Sequence, residues 1–214
     1  MRIASLSASL DPAAWRDGAR LPINQWPPSD SPSAEFVGGN IAAAPGVDPT
    51  PTAPARLCFS GWLGASPSHT SPGHWTPAAK QVLAAACATL ASAPARVFLV
   101  PHHAHLLSDL PGCIAHELAA RAAAAAGHPA VGIALAPTAL LAPSMLDHAM
   151  DHLERLITTA APLAPFVVME RVDHAQVDGA AIGALLRQYM GADSTLVLAG
   201  DAAELIHWLA LRSP

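Results

Sequence analysis

Three imidazoles fall within four residues at Pro101-His102-His103-Ala104-His105. They follow directly on Arg96-Val-Phe-Leu-Val100, an apolar run that reads as a buried strand. Neutral imidazole nitrogens are ligands for a borderline divalent metal, and they also accept protons near pH 7. In an extended stretch, His103 and His105 face one side and His102 the other. One loop seldom completes a coordination sphere, so further ligands are expected from elsewhere. Asp109 lies four residues beyond His105, in Ser108-Asp-Leu-Pro111. It reads first as the cap of the following helix, and second as a carboxylate that orients His105.

Other histidines are weaker candidates. His148 and His152 stand one helical turn apart and form a chelating pair only if they share a helix face. His69 and His74 lie in a Gly/Pro/Ser loop, and His174 follows the strand ending at Glu170. His116, His128 and His207 read as helix-surface or helix-end residues. Cys113 sits at a helix start, where packing is the simpler account. The sequence has no HExxH, GxSxG, P-loop or GxGxxG pattern.

The elements that must position these residues follow from the pattern. Strands are expected at Arg56–Ser60, Arg96–Pro101, Ala130–Ala136, Pro165–Glu170 and Ser194–Gly200. Helices are expected from Thr76-Pro77, from about Pro111, from Ser144, from about Asp173 and from Asp201. Gly127 reads as a left-handed helix stop. The alternation implies an α/β fold, with a mostly parallel sheet and helices on both faces. Residues 56–214 form this domain. Residues 1–55 are Pro-rich and read as a wrapping N-terminal arm, with a short strand at Arg2–Ser7 and Trp15, Trp26 and Phe36 as anchors. Ligands are then expected at the carboxyl ends of the strands, where most of the histidines fall.

Composition narrows the function classes. The 214 residues carry 11 basic and 16 acidic side chains, a formal charge of −5 and a single Lys, which argues against nucleic acid or an anionic membrane as partner. No apolar run reaches the ~18 residues of a spanning helix, and Met1–Leu10 lacks the form of a secretory signal. Three widely spaced cysteines, Cys58, Cys87 and Cys113, fit neither a CxxC metal site nor a disulfide framework. A cytoplasmic protein with reduced thiols is the expectation.

The stretch from Arg96 resembles the class II chelatases, which insert cobalt, nickel or iron into sirohydrochlorin. Three segments carry the resemblance: Arg96-Val-Phe-Leu-Val-Pro101 with His105-Leu-Leu-Ser-Asp109-Leu-Pro111, Gly127-His-Pro-Ala-Val-Gly-Ile-Ala-Leu-Ala136, and Leu140-Leu-Ala-Pro-Ser-Met-Leu146. It covers about residues 77–160. It implies a chelatase-like fold and an enzyme of tetrapyrrole biosynthesis, on the cobalamin or siroheme branch, that inserts Co, Ni, Fe or Zn. His105 would be metal ligand and proton acceptor, His102 and His103 would assist, and Asp109 would orient His105. Arg171 and Arg96 are candidates to meet the substrate carboxylates. A homodimer is also an implication of the resemblance. The family's Gly-His-Gly-Ser segment after the first strand is replaced here by Gly61-Trp-Leu-Gly64, with His69, His74 and His174 as candidate substitutes for its histidine. Two other functions compete: a metal-dependent amidohydrolase of creatininase-like type, and a non-catalytic protein that binds a metal or tetrapyrrole.

Overall fold

A computed structural model describes residues 1–12, 19–25, 32–43, 53–63 and 76–211. Eight strands close into a barrel in sequence order: β1 (Arg2–Leu6), β2 (Arg20–Gln25), β3 (Ala34–Val37), β4 (Ala55–Phe59), β5 (Arg96–Val100), β6 (Gly132–Leu135), β7 (Phe166–Glu170) and β8 (Thr195–Ala199). β2 runs antiparallel to both neighbours, and every other pairing is parallel, including the β1–β8 seam. Seven strands therefore point one way, and their carboxyl ends share one rim, the mouth. Five α-helices stand among the described residues: α1 (Pro77–Ala91), α2 (Leu110–Ala125), α3 (Ala149–Ala160), α4 (Gly179–Tyr189) and α5 (Ala202–Trp208).

This architecture corrects the expected open, mostly parallel, chelatase-like sheet with helices on both faces. The sheet closes on itself, and the helices lie only outside it. The segment read as an N-terminal arm supplies β1, β2 and β3. β1 pairs along its whole length with β8, from Arg2 opposite Thr195 to Leu6 opposite Ala199, and that seam closes the barrel. Within the 1–55 arm, Phe36 is a barrel-interior residue, while Trp15 and Trp26 lie outside the described residues.

Residue size explains the closure. Alternate residues of each strand point inward and form one core: Ala4 and Leu6, Ile23, Ala34 and Phe36, Leu57 and Phe59, Phe98 and Val100, Ala134, Val168, Val197 and Ala199. Small side chains beside large aromatic ones share a narrow eight-stranded interior. The other face of β4–β8 carries Cys58, Val97, Leu99, Ile133, Leu135, Val167, Met169, Leu196 and Leu198, packed with the helices in a second core. Burial on both faces is why these strands read as continuous apolar runs.

Local signals set the helix starts. Thr76, Asp109, Asp178 and Asp201 accept from the first-turn N–H groups of Ala79, Gly112, Ala180 and Glu204 respectively. Gly127 has φ +77°, as a left-handed stop requires. Two starts differ from expectation. Ser144 opens no α-helix: a 3-10 segment, Pro143–His148, precedes α3 and has no side-chain cap. α4 begins at Gly179 rather than near Asp173, because Asp173 pairs with Arg171 at 2.7 Å and Asp178 provides the cap. No helix among the described residues is long and apolar enough to cross a membrane.

Candidate functional site at the barrel mouth

The loop after β5 is pinned to the exits of both neighbouring strands. The Leu106 N–H donates to the Gly61 carbonyl at 2.8 Å, just past β4, and the His103 N–H donates to the Ala139 carbonyl at 2.8 Å, past β6. The His105 N–H donates back to the His102 carbonyl at 2.9 Å, so the segment is a turn rather than an extended stretch. The turn places His102 between its neighbours. Its ring centroid lies 4.3 Å from that of His103 and 4.8 Å from that of His105.

His105 has no exposed surface. Its ring stacks on Trp62 with centroids 5.3 Å apart, and meets the edge of Phe59 at 5.2 Å. Neither ring nitrogen has a hydrogen-bond partner. A buried polar atom left in this state carries a desolvation penalty of about 1–3 kcal/mol, so it requires an account. Burial is also the main influence on the three ionisations. It holds His105 well below the usual imidazole value, with His102 and His103 adding repulsion. It takes His102 down to about 4, with repulsion from His103 adding and Asp11 partly opposing. It lowers His103 as well. All three rings are neutral at pH 7 and keep a nitrogen lone pair. On His102, Nδ1 accepts from the Ala104 N–H at 3.1 Å, which leaves Nε2 for another partner.

Asp109 does what its position before a helix dictates: Oδ1 accepts from the Gly112 N–H at 2.6 Å. It makes no hydrogen bond to either His105 nitrogen, so no orienting contact joins the two. Among the described residues, no group of three or more His, Cys, Asp or Glu side chains is arranged to hold a metal together. His102, His103 and His105 are adjacent, but their nitrogens do not converge as three donors. His148 ends the 3-10 segment and His152 lies in α3, so the expected pair straddles a change of helix type. His174 sits in the loop after β7, where its Nδ1 accepts from the Gln176 N–H. His69 and His74 lie outside the described residues. His116 Nε2 lies 2.9 Å from the Val131 carbonyl, a structural bond. Cys113 is 2% exposed and burial pushes its thiol up to about 12, which fits packing rather than reactivity.

Sequence reasoning missed four residues at the mouth. Glu170 ends β7 on the inward-pointing series after Phe166 and Val168, level with Ala199. Its Oε1 accepts from the Leu10 N–H at 3.2 Å, and its own N–H donates to Thr138 Oγ1 at 3.3 Å. Asn40 and Trp62 hold the aromatic wall beside His105. The available signal for Glu170 was a carboxylate closing an otherwise apolar alternation. Nothing local marked Thr138, Asn40 or Trp62. No family model matches this chain, and no curated protein or solved structure does either.

Proposed function

We propose that the barrel mouth handles a divalent transition metal (Co, Ni, Fe or Zn) through the neutral imidazoles of His102 and His105, with His103 beside them. The observation that carries this is the wholly buried His105 ring, whose two nitrogens have no partner. A metal ion would satisfy one of them, and Nε2 of His102 faces no competing hydrogen bond within its own loop. The location agrees, since barrels of alternating strands and helices carry their sites at the carboxyl ends of the strands. A set of one or two imidazoles leaves coordination positions open for exchange, which suits delivery of the ion to another ligand rather than permanent storage. The ion would supply Lewis acidity. The chain's residues supply the rest: Trp62 and Phe59 exclude water from His105, and the loop's backbone bonds hold His102 against it.

A tetrapyrrole as the acceptor is the finer part of this proposal, and its support is the sequence run from Arg96 to Pro111. Calorimetric titration with Co²⁺ tests the metal. One ion per chain is expected, bound at least about tenfold more weakly in His105→Ala and in His102→Ala. Binding that is absent, or unchanged in both variants, overturns the reading. An anaerobic absorbance time course with sirohydrochlorin and Co²⁺, against a no-protein control, tests the acceptor. Metal binding without faster insertion removes the tetrapyrrole and leaves the metal.

A further inference from the structure

At the other end of the barrel lies a second concavity. The start of β5, the start of β6, Pro165 before β7 and the later turns of α2 surround a cavity of about 430 Å³. This volume is within the range of small-molecule sites. Its walls are mostly apolar: Phe98, Gly132, Pro165, Ala120 and Ala124. Gly132 carries no side chain for a packing reason. A Cβ there would come within 3.0 Å of the Phe98 ring and 3.2 Å of Glu117 Oε2. The Phe98 ring and Glu117 thus fill the space on the side-chain side of Gly132.

Charge in the cavity is unevenly compensated. Glu117 is buried and fully engaged, with Oε1 on Arg121 Nε at 2.9 Å and Oε2 on the Ile133 N–H at 2.8 Å. Arg121 also donates to the Leu163 carbonyl. Arg96 differs. Its guanidinium carbon lies 5.2 Å from the centroid of the Phe98 ring, and no carboxylate among the described residues pairs with it. One unpaired fork of donors thus stands at the rim of a mostly apolar cavity, over the Phe98 ring.

We propose that this cavity binds a small aromatic carboxylate, with the carboxylate on Arg96 and the ring along the apolar wall of Ala120, Ala124 and Pro165. A guanidinium meets a carboxylate through two parallel N–H bonds, which fixes the anion's orientation as well as its charge. A cationic ligand would face both Arg96 and Arg121.

Titration of the ¹⁵N-labelled full chain with benzoate, followed by amide shifts, tests the site. Benzylamine serves as the cationic control. Saturable shifts are expected at the amides of Gly132 and Ala124, at benzoate concentrations up to about 20 mM. Affinity is expected to fall at least about fivefold in Arg96→Met, which keeps apolar volume and removes the charge, and in Ala124→Trp, which fills the cavity. Both positions are exposed, and the dispersion of the amide spectrum checks that each variant is folded. Three results would each overturn the proposal: no saturable shifts at these amides, equal binding of benzylamine, or unchanged affinity in Arg96→Met. A loss in Arg96→Met without one in Ala124→Trp places the anion outside the cavity and overturns it too.

Discussion

Asn40 grips the backbone of Trp62 at both of its polar groups. Nδ2 donates to the Trp62 carbonyl at 2.9 Å, and Oδ1 accepts from the Trp62 N–H at 2.9 Å. The same Oδ1 accepts from the Ala42 N–H at 3.0 Å. Ser60 and Gly61 link β4 to the grip, and Gly61 stands at φ +76°, where a Cβ would come 3.0 Å from Asn40 Oδ1. One side chain in the loop after β3 therefore positions the indole that covers His105. Asn40→Ala is expected to lower stability by about 2–4 kcal/mol in urea denaturation, since it strands buried backbone groups. A loss below about 0.5 kcal/mol would mean that Trp62 holds its place without this grip.

The β1–β8 seam makes the N-terminal segment part of the fold. Removing residues 1–54 would leave β4 and β8 as bare edges and expose inward residues such as Leu57, Phe59, Val168 and Val197. The shortened chain is expected to lose cooperative thermal unfolding. A sharp, near-native transition in the 55–214 fragment would instead support a detachable arm.

On the outer face of β3 and β4, Arg56 and Glu35 form a buried pair. Nε donates to Oε1 at 2.7 Å, and both side chains are 2% exposed. The parallel register places them side by side. Glu35→Gln leaves the buried Arg56 charge without its carboxylate and is expected to cost about 3–5 kcal/mol, while Arg56→Met is expected to cost less, since Arg20 lies 4.0 Å from the other Glu35 oxygen. Arg56→Met combined with Glu35→Leu is expected to cost clearly less than the two single changes together. A double-mutant cycle in guanidinium chloride checks this, and simple additivity would contradict it.

The folded state keeps His102, His105 and His116 neutral through burial, partly offset at His116 by the Val131 carbonyl and Glu117. Well above pH 6.5 neither the native nor the unfolded chain protonates these rings, and they add no pH dependence. As pH falls below 6.5 the unfolded chain takes up protons that the native chain refuses, so stability falls. For His102, with a native value of about 4, the loss is complete below pH 4 and amounts to about 3–4 kcal/mol. Thermal melts of the metal-free protein from pH 7.5 to 4.5 are expected to show a declining midpoint. His102→Asn should flatten the decline, and an unchanged slope would assign the acid sensitivity to other groups.

His105→Phe separates a functional from a structural role. Phe retains a ring for Trp62 and Phe59 to pack on and removes two unpartnered nitrogens. Stability is expected to stay level or rise by about 1 kcal/mol, while Co²⁺ binding falls. A destabilisation beyond about 2 kcal/mol would show that the imidazole itself supports the fold.

Element types and most boundaries from Arg56 onward were legible, because each rests on neighbours in the chain. Thr76-Pro77 and Asp201 make caps by themselves, and Arg96–Val100 is apolar enough to be a buried strand in any fold. The loop of histidines was legible for the same reason: its position after a strand set its edge. β2 and β3 were not. Pro22 inside Arg20-Leu-Pro-Ile-Asn-Gln25 speaks against a strand, and Ala34–Val37 is only four residues long. What makes them strands is pairing, Arg20 opposite Val37 and Glu35 opposite Arg56.

A helix-and-strand alternation and a cluster of imidazoles at one strand end could be read from residue order alone. Tertiary structure alone decided that the sheet closes, that Glu170 and Thr138 join the mouth, and that His105 is sealed between Trp62 and Phe59 without a hydrogen bond. The physical reason is range. Caps and hydrophobic periodicity act over a few residues. Closure depends on β1 meeting β8 across nearly the whole chain, and on small and large interior side chains filling one shared volume.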